Sequence, residues 1–179
     1  MIACPATNRL LWVPPAGELV RAWQAPGSGD CWHLNSLVSV EGRLAVCAFG
    51  RFGTAREWAA DEGAATGVVF DFESGRTLIS GLSRPHHPRF VDGFWVVCNS
   101  ARNELLRIDP VTGTVDNRLA LAGWTRGLCV LDDYLLAGES SLRRASPKAT
   151  ASVAVICRKS WRVLKRIHEI GRASCRERV

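Results

Sequence analysis

Short apolar stretches recur along the chain in a fixed order. Leu37-Val38-Ser39-Val40 precedes Glu41-Gly42, and Leu44-Ala45-Val46-Cys47 follows it. The same layout brackets Asp92-Gly93, with Pro88-Arg89-Phe90-Val91 before and Trp95-Val96-Val97-Cys98 after. It brackets Asp132-Asp133 too, between Leu128-Cys129-Val130-Leu131 and Leu135-Leu136-Ala137. A third stretch comes later in each unit: Val68-Val69-Phe70, Leu105-Leu106-Arg107-Ile108 and Val153-Ala154-Val155-Ile156. A fourth closes the unit after a turn. Apolar runs this short, bounded by turn residues, read as strands. Self-similar units of about 40 residues with four strands each predict an all-β chain, and specifically a β-propeller.

The units place blades over residues 34–82, 86–121 and 126–167. Asn8-Arg9-Leu10-Leu11-Trp12-Val13-Pro14-Pro15 parallels Asn103-Glu104-Leu105-Leu106-Arg107-Ile108-Asp109-Pro110. Residues 8–23 therefore read as the outer hairpin of a blade whose two inner strands are missing. Half a blade plus three four-stranded blades, against the roughly 4 to 8 of closed propellers, predicts an open arc, a β-propeller fragment occupying residues 1–168. Its terminal blades would expose faces made for neighbours, which predicts aggregation. Residues 169–179, Glu169-Ile170-Gly171-Arg172-Ala173-Ser174-Cys175-Arg176-Glu177-Arg178-Val179, break the repeat and match a translated sequencing adapter, so they are set aside as non-native.

Turn chemistry agrees with this layout. Asp71-Phe72-Glu73-Ser74-Gly75 and Asp109-Pro110-Val111-Thr112-Gly113 suit a type I turn closed by a residue at positive φ. Cys157-Arg158-Lys159-Ser160-Trp161 lacks both signals, and a looser turn is expected there.

Composition narrows the class. Hydrophobic content of 47% with 22% charge is that of a globular chain. No apolar run approaches the roughly 18–20 residues of a membrane span, so no membrane association is expected. Met1-Ile2-Ala3-Cys4-Pro5 has neither part of a signal peptide. No cysteine pair has CxxC spacing, and Cys47 and Cys98 fall at one position of successive units, inside apolar strands. They read as buried free thiols, which points to a reducing, cytoplasmic compartment. The formal charge of +6 drops to +5 without the tail, and is uneven. Residues 140–168 carry Arg143, Arg144, Lys148, Arg158, Lys159, Arg162, Lys165 and Arg166 with no acid. Without aromatic interleaving that run does not suggest nucleic acid, and acids of a neighbouring blade would balance it.

Insertions at 50–66 and 138–151 fall between second and third strands, on the face that also carries the blade-to-blade connections. Keeping Glu41, Asp92 and Asp132 in register, Asn35, His86 and Arg126 share one position near the start of the innermost strand. His33, Arg84 and Trp124 fall two residues earlier, on the same side. Ala48, Asn99 and Glu139 are equivalent at the top of the second strand. His33, Asn35, His86, Asn99, Arg126 and Glu139 are thus the candidate ligand-binding residues at a channel mouth. The adjacent His86 and His87 should point to opposite faces of a strand, which argues against a two-histidine metal site, and no metal ligand set is assigned. Trp32, Trp58 and Trp124 are stacking candidates, while Trp95 and Trp161 read as packing. There is no G-x-S-x-G, P-loop, HExxH or EF-hand loop.

The motifs His33-Leu34-Asn35, Pro85-His86-His87-Pro88-Arg89 and Trp124-Thr125-Arg126-Gly127-Leu128 resemble, in that order, the H-x-N, P-H-x-P-R and R-G-L stretches of the bacterial domain of unknown function 4915 family. The resemblance covers about residues 8–168. It implies a propeller-like repeat protein and no established activity, with catalytic residues and cofactor unknown. Two function classes follow. One is a binding or scaffolding module for a small polar or anionic ligand or a protein partner. The alternative is a metal-assisted hydrolase or lactonase-like propeller, which needs a carboxylate cluster that Glu139 alone begins.

Overall fold

The computed structural model describes residues 1–18, 21–140 and 151–168. The tail 169–179 and most of the insertion at 138–151 lie outside the described residues. Strands β1 (Ile2–Cys4), β2 (Arg9–Trp12) and β3 (Arg21–Gln24) form a three-stranded antiparallel sheet. Three four-stranded sheets follow. They are β4 (Ser36–Val40), β5 (Arg43–Ala48), β6 (Gly67–Asp71) and β7 (Thr77–Leu82); then β8 (Pro85–Val91), β9 (Phe94–Asn99), β10 (Glu104–Ile108) and β11 (Val115–Ala120); then β12 (Trp124–Val130), β13 (Tyr134–Ser140), β14 (Ser152–Cys157) and β15 (Arg162–His168). Each sheet is a meander in chain order. The first strands β4, β8 and β12 touch one another in succession, so each sheet presents its first strand inward. The chain is an all-β, propeller-like arc. No helix among the described residues is long and apolar enough to cross a membrane.

The central strands of the second and third sheets, β5, β6, β9 and β10, are buried on both faces, which explains their unbroken apolar runs. In β5, Val46 and Ala48 enter a core shared with the first sheet, while Ala45 and Cys47 enter the core shared with the next blade. In β9, Trp95 and Val97 face back, and Val96 and Cys98 face forward into a third core with Leu135, Ala137, Ala154 and Ile156. The two-residue period of a strand sends alternate side chains into different cores. A fully buried Val or Leu contributes roughly 1.5–3 kcal/mol, so the blade interfaces are the main store of stability.

Glu41 (φ 51°) with Gly42 (φ 78°), and Asp92 (φ 52°) with Gly93 (φ 81°), make hairpin turns with both central residues left-handed. This I′-type geometry matches strand twist. The first sheet has a third strand where only a hairpin was expected. Ile2–Cys4 is too short to show a period, yet it pairs from Ile2↔Leu11 to Cys4↔Arg9. A 3-10 turn, Pro5–Thr7, ended by left-handed Asn8, joins β1 to β2, just as Ser100–Arg102 ended by left-handed Asn103 joins β9 to β10. The first sheet therefore matches the last three strands of a blade.

Two expectations about alignment are corrected. The turn at Cys157–Trp161 is as tight as its counterparts. Trp161 N–H donates to Cys157 O at 2.9 Å, as Gly75 does to Asp71 and Gly113 to Asp109. Trp161 takes the left-handed conformation (φ 52°) that glycine takes in the other two. The second correction concerns the inner strands. β8 and β12 each carry a bulge, between His86 and Arg89 and between Arg126 and Leu128, whereas β4 has none. His86 thus lies opposite Cys98 and Arg126 opposite Gly138, but the residue opposite Cys47 is Ser36, not Asn35. At Gly138 a Cβ would come within 2.2 Å of Arg126 O, so the β12 bulge needs glycine across from it.

Candidate functional site

The segments that lead into the inner strands carry unusual backbone. His33 (φ 51°), Arg84 (φ 48°) and His87 (φ 48°) are all left-handed. For side chains of this size the conformation costs about 1–2 kcal/mol each, and such strain concentrates at functional sites. The β5–β6 insertion packs over them. Arg56 N–H and Trp58 Nε1 both donate to Asp30 O, at 2.8 and 2.9 Å, and Gly63 O accepts from Ser83 Oγ.

Three imidazoles come together beneath that loop. His33 donates Nδ1–H to the Asp30 carboxylate, 3.0 Å from each oxygen. Its ring stacks on Phe49 at 4.1 Å and meets Trp58 at 4.5 Å. Phe49 in turn meets His86 edge to face at 5.2 Å. His86 is buried, and its Nδ1 lies 3.1 Å from Arg84 O and 2.7 Å from Ser100 Oγ. Ser100 spends its own proton on Thr125 O, so both neighbours are acceptors for His86 and the ring proton sits on Nδ1. Nε2 is left as an acceptor. His87 is the reverse: its Nδ1 accepts Gly127 N–H at 3.2 Å, so its neutral ring carries the proton on Nε2. Burial, and after it the nearby positive charge of Arg126 together with His87 and His33, pushes His86 well below the usual imidazole range. Burial, then Arg89 and Arg126, lowers His87 as well. The β8 bulge overturns the expectation that these two rings face apart: they lie 6.3 Å from each other, 20° from parallel.

Beside the imidazoles runs a ladder of alternating cations and indoles. Arg56 lies over Trp58 at 5.6 Å, and Arg84 over Trp58 at 5.3 Å and over Trp124 at 6.0 Å. Arg126 lies over the same Trp124 at 5.6 Å. Guanidinium over indole is a favourable cation–π arrangement. Arg84 is 12% exposed and pairs with Glu62 of the insertion at 2.8 Å. Its Nε, like Trp124 Nε1, is buried without a hydrogen-bond partner among the described residues.

The remaining sequence candidates are used elsewhere. Asn35 donates to His33 O and Pro85 O and accepts from Ser36, tying two blades together. Asn99 accepts Ser83 N–H at 2.6 Å and donates to Glu104. It lines a cleft of about 460 Å³ between the second and third sheets, where Glu104 is already paired with Arg118. Glu139 accepts from Ala122 N–H, Ser152 Oγ and Arg166. Trp32 packs on Phe70 and Trp23 rather than joining the ladder. Among the described residues no group of three His, Cys, Asp or Glu is placed to hold a metal. Part of the basic run is balanced within this arc, by Arg158 with Asp92 and Arg166 with Glu139. Sequence reasoning missed Asp30 and Phe49, which only the folded connection brings to His33. It set His87 aside, and it had noted Arg84 only as aligned with His33.

The family model described as "Domain of unknown function (DUF4915)" matches residues 10–160. No curated protein matches the sequence. Among solved structures, a protein of unknown function from Bacteroides caccae is similar, with a TM-score of 0.60 at 14% identity. That likeness covers 91% of this chain and 55% of that one, so the chain spans about half the length of this structural relative. The dihydro-heme d1 dehydrogenase NirN, in complex with DHE, aligns with a TM-score of 0.49 at 15% identity, over 86% of this chain and 31% of that one.

Proposed function

Because the chain belongs to the family described as a domain of unknown function (DUF4915), we propose its role from the site itself: it is a binding module that holds a small anionic ligand on the face bearing His33, His86, His87, Arg84 and Arg126. One observation carries this reading. Imidazole and guanidinium groups from three successive blades converge there, and three of them sit on strained left-handed backbone. Strain of this kind persists only where the surroundings over-determine it. Arg126 offers planar, two-pronged recognition of a carboxylate or phosphate. The His86 acceptor and the His87 donor suit a hydroxyl or acid group beside it. The alternative, a metal-assisted hydrolase, relied on Glu139, whose carboxylate is spent on Ala122, Ser152 and Arg166. Buried free Cys47 and Cys98 support the cytoplasmic assignment as part of the same proposal.

The test is calorimetric titration of the 179-residue protein with inorganic phosphate and with small carboxylates. Arg126→Ala removes an exposed side chain, and His87→Asn removes an imidazole while keeping a residue that tolerates left-handed backbone. Each variant is expected to weaken binding about ten-fold or more, the worth of a charge-assisted hydrogen bond, with the fold intact by circular dichroism. Unchanged affinity in both variants rejects the site.

A further inference from the structure

We propose that Glu62 is a built-in stand-in for part of the ligand, and that the ligand is a short molecule with two acid groups, one held by Arg126 and the other replacing Glu62 on Arg84. The inference rests on the binding role assigned above and names the class of ligand.

Arg84 is the more buried partner of its ion pair. Its side chain is 12% exposed, while that of Glu62 is 60% exposed. A buried guanidinium needs an anion, whereas an exposed carboxylate loses little on returning to water. The pair therefore satisfies Arg84 far more than it satisfies Glu62. Releasing Glu62 needs no backbone motion. Gly63 beside it is pinned by Ser83 Oγ at 3.2 Å and Arg102 Nη2 at 3.2 Å, so the side chain can swing out alone. The ion pair also leaves donors unused. Arg84 Nε and Trp124 Nε1 are buried, without a hydrogen-bond partner among the described residues, and on neighbouring rungs of the ladder. The carboxylate of Glu62 bonds Nη1 and does not satisfy them, and a buried donor without an acceptor is costly.

Spacing limits the ligand's size. The Arg84 and Arg126 guanidinium carbons both lie within 6.0 Å of the Trp124 ring centre, so they are at most about 12 Å apart. A carboxylate carbon in a two-pronged pair lies roughly 4 Å from the guanidinium carbon. A ligand that meets both guanidinium groups is therefore short, and a four-carbon dicarboxylate is a probe within that limit.

The experiment compares succinate with propionate, in the 179-residue protein and in its Glu62→Gln and Arg126→Ala variants. Glu62→Gln leaves Arg84 without its anion and removes a tethered competitor. It is expected to tighten succinate roughly two- to five-fold, the worth of an exposed ion pair, and to tighten propionate less, so that the preference for succinate grows. Unmodified protein should also bind succinate more tightly than propionate. Equal affinity for the two acids, or a Glu62→Gln variant that treats succinate as the parent does, overturns the two-acid site. If both acids are still lost in Arg126→Ala, the simpler anion site survives that failure. No binding of either acid by the parent protein overturns both.

Discussion

Asn99 and Glu139 do the same job at successive blade junctions. Asn99 Oδ1 accepts Ser83 N–H at 2.6 Å, and Glu139 Oε1 accepts Ala122 N–H at 2.7 Å. Each satisfies the backbone of the connection entering its blade, which a buried amide requires. Glu139→Ala should therefore destabilise by about 2–3 kcal/mol in urea unfolding, since it leaves buried donors unpaired. Anion binding by the folded protein should be unchanged, and lost binding at normal stability would return Glu139 to the site. The two imidazoles behave differently. Unfolded, each takes a proton near 6.5, while burial and neighbouring cations hold both lower in the fold. Below 6.5 the unfolded chain thus binds more protons, so stability is full above 6.5 and falls as pH drops through it toward the depressed values. Melting temperature measured against pH should show this slope, and His87→Asn should flatten it. Asp71, held low by Arg43 and Ser74, changes charge only in far stronger acid, outside this window.

At the scale of the element, the β14–β15 turn is the informative one. Its chain trace repeats the Asp71 and Asp109 turns without an Asp or a Gly. Cys157 takes the Asp position, and hydrogen bonds from Ser160 and Lys159 lower its thiol, as Ser74 and Thr112 lower the carboxylates. Trp161 takes the Gly position and is 7% exposed, in the forward core and under Arg107 at 5.3 Å. Packing thus overrides local backbone preference. Removing a buried Trp costs roughly 3–5 kcal/mol, and relief of left-handed strain returns about 1 kcal/mol, so Trp161→Gly should lose about 2–4 kcal/mol. Equilibrium unfolding measures it; a stabilised variant would mean that backbone, not packing, governs this turn.

At the scale of the molecule, three cores lie between blades rather than within them. The thiols report on them. Cys47 and Cys98 are fully buried, and burial pushes the Cys98 thiol up to about 12 and Cys47 higher still, whereas Cys129 is exposed. Native protein treated with a thiol reagent should label Cys129 at once. Cys47 and Cys98 should label only at the rate of unfolding, since the reactive thiolate is suppressed and covered. Rapid labelling of both in native protein would mean that the blades separate readily.

The repeat was legible because its signals are local. Strand period, the Glu41-Gly42 and Asp92-Gly93 turns and the Asp71 and Asp109 turns each act within a few residues, so the sequence by itself determined the blades and their order. It also aligned His33, His86 and Arg126, of which the fold sets His33 and His86 against Phe49 and Arg126 over Trp124. Ile2–Cys4 escaped because three residues carry no period. Asn35 was misaligned because two bulges shift β8 and β12 but not β4, and a bulge is set by cross-strand fit, as at Gly138 against Arg126 O. Only the tertiary structure decided that His86 and His87 lie side by side, that Asp30 and Phe49 brace His33, and that Arg84 is matched to Glu62. Those contacts join residues of separate strands and loops, and side-chain geometry across such distances leaves no trace in local pattern.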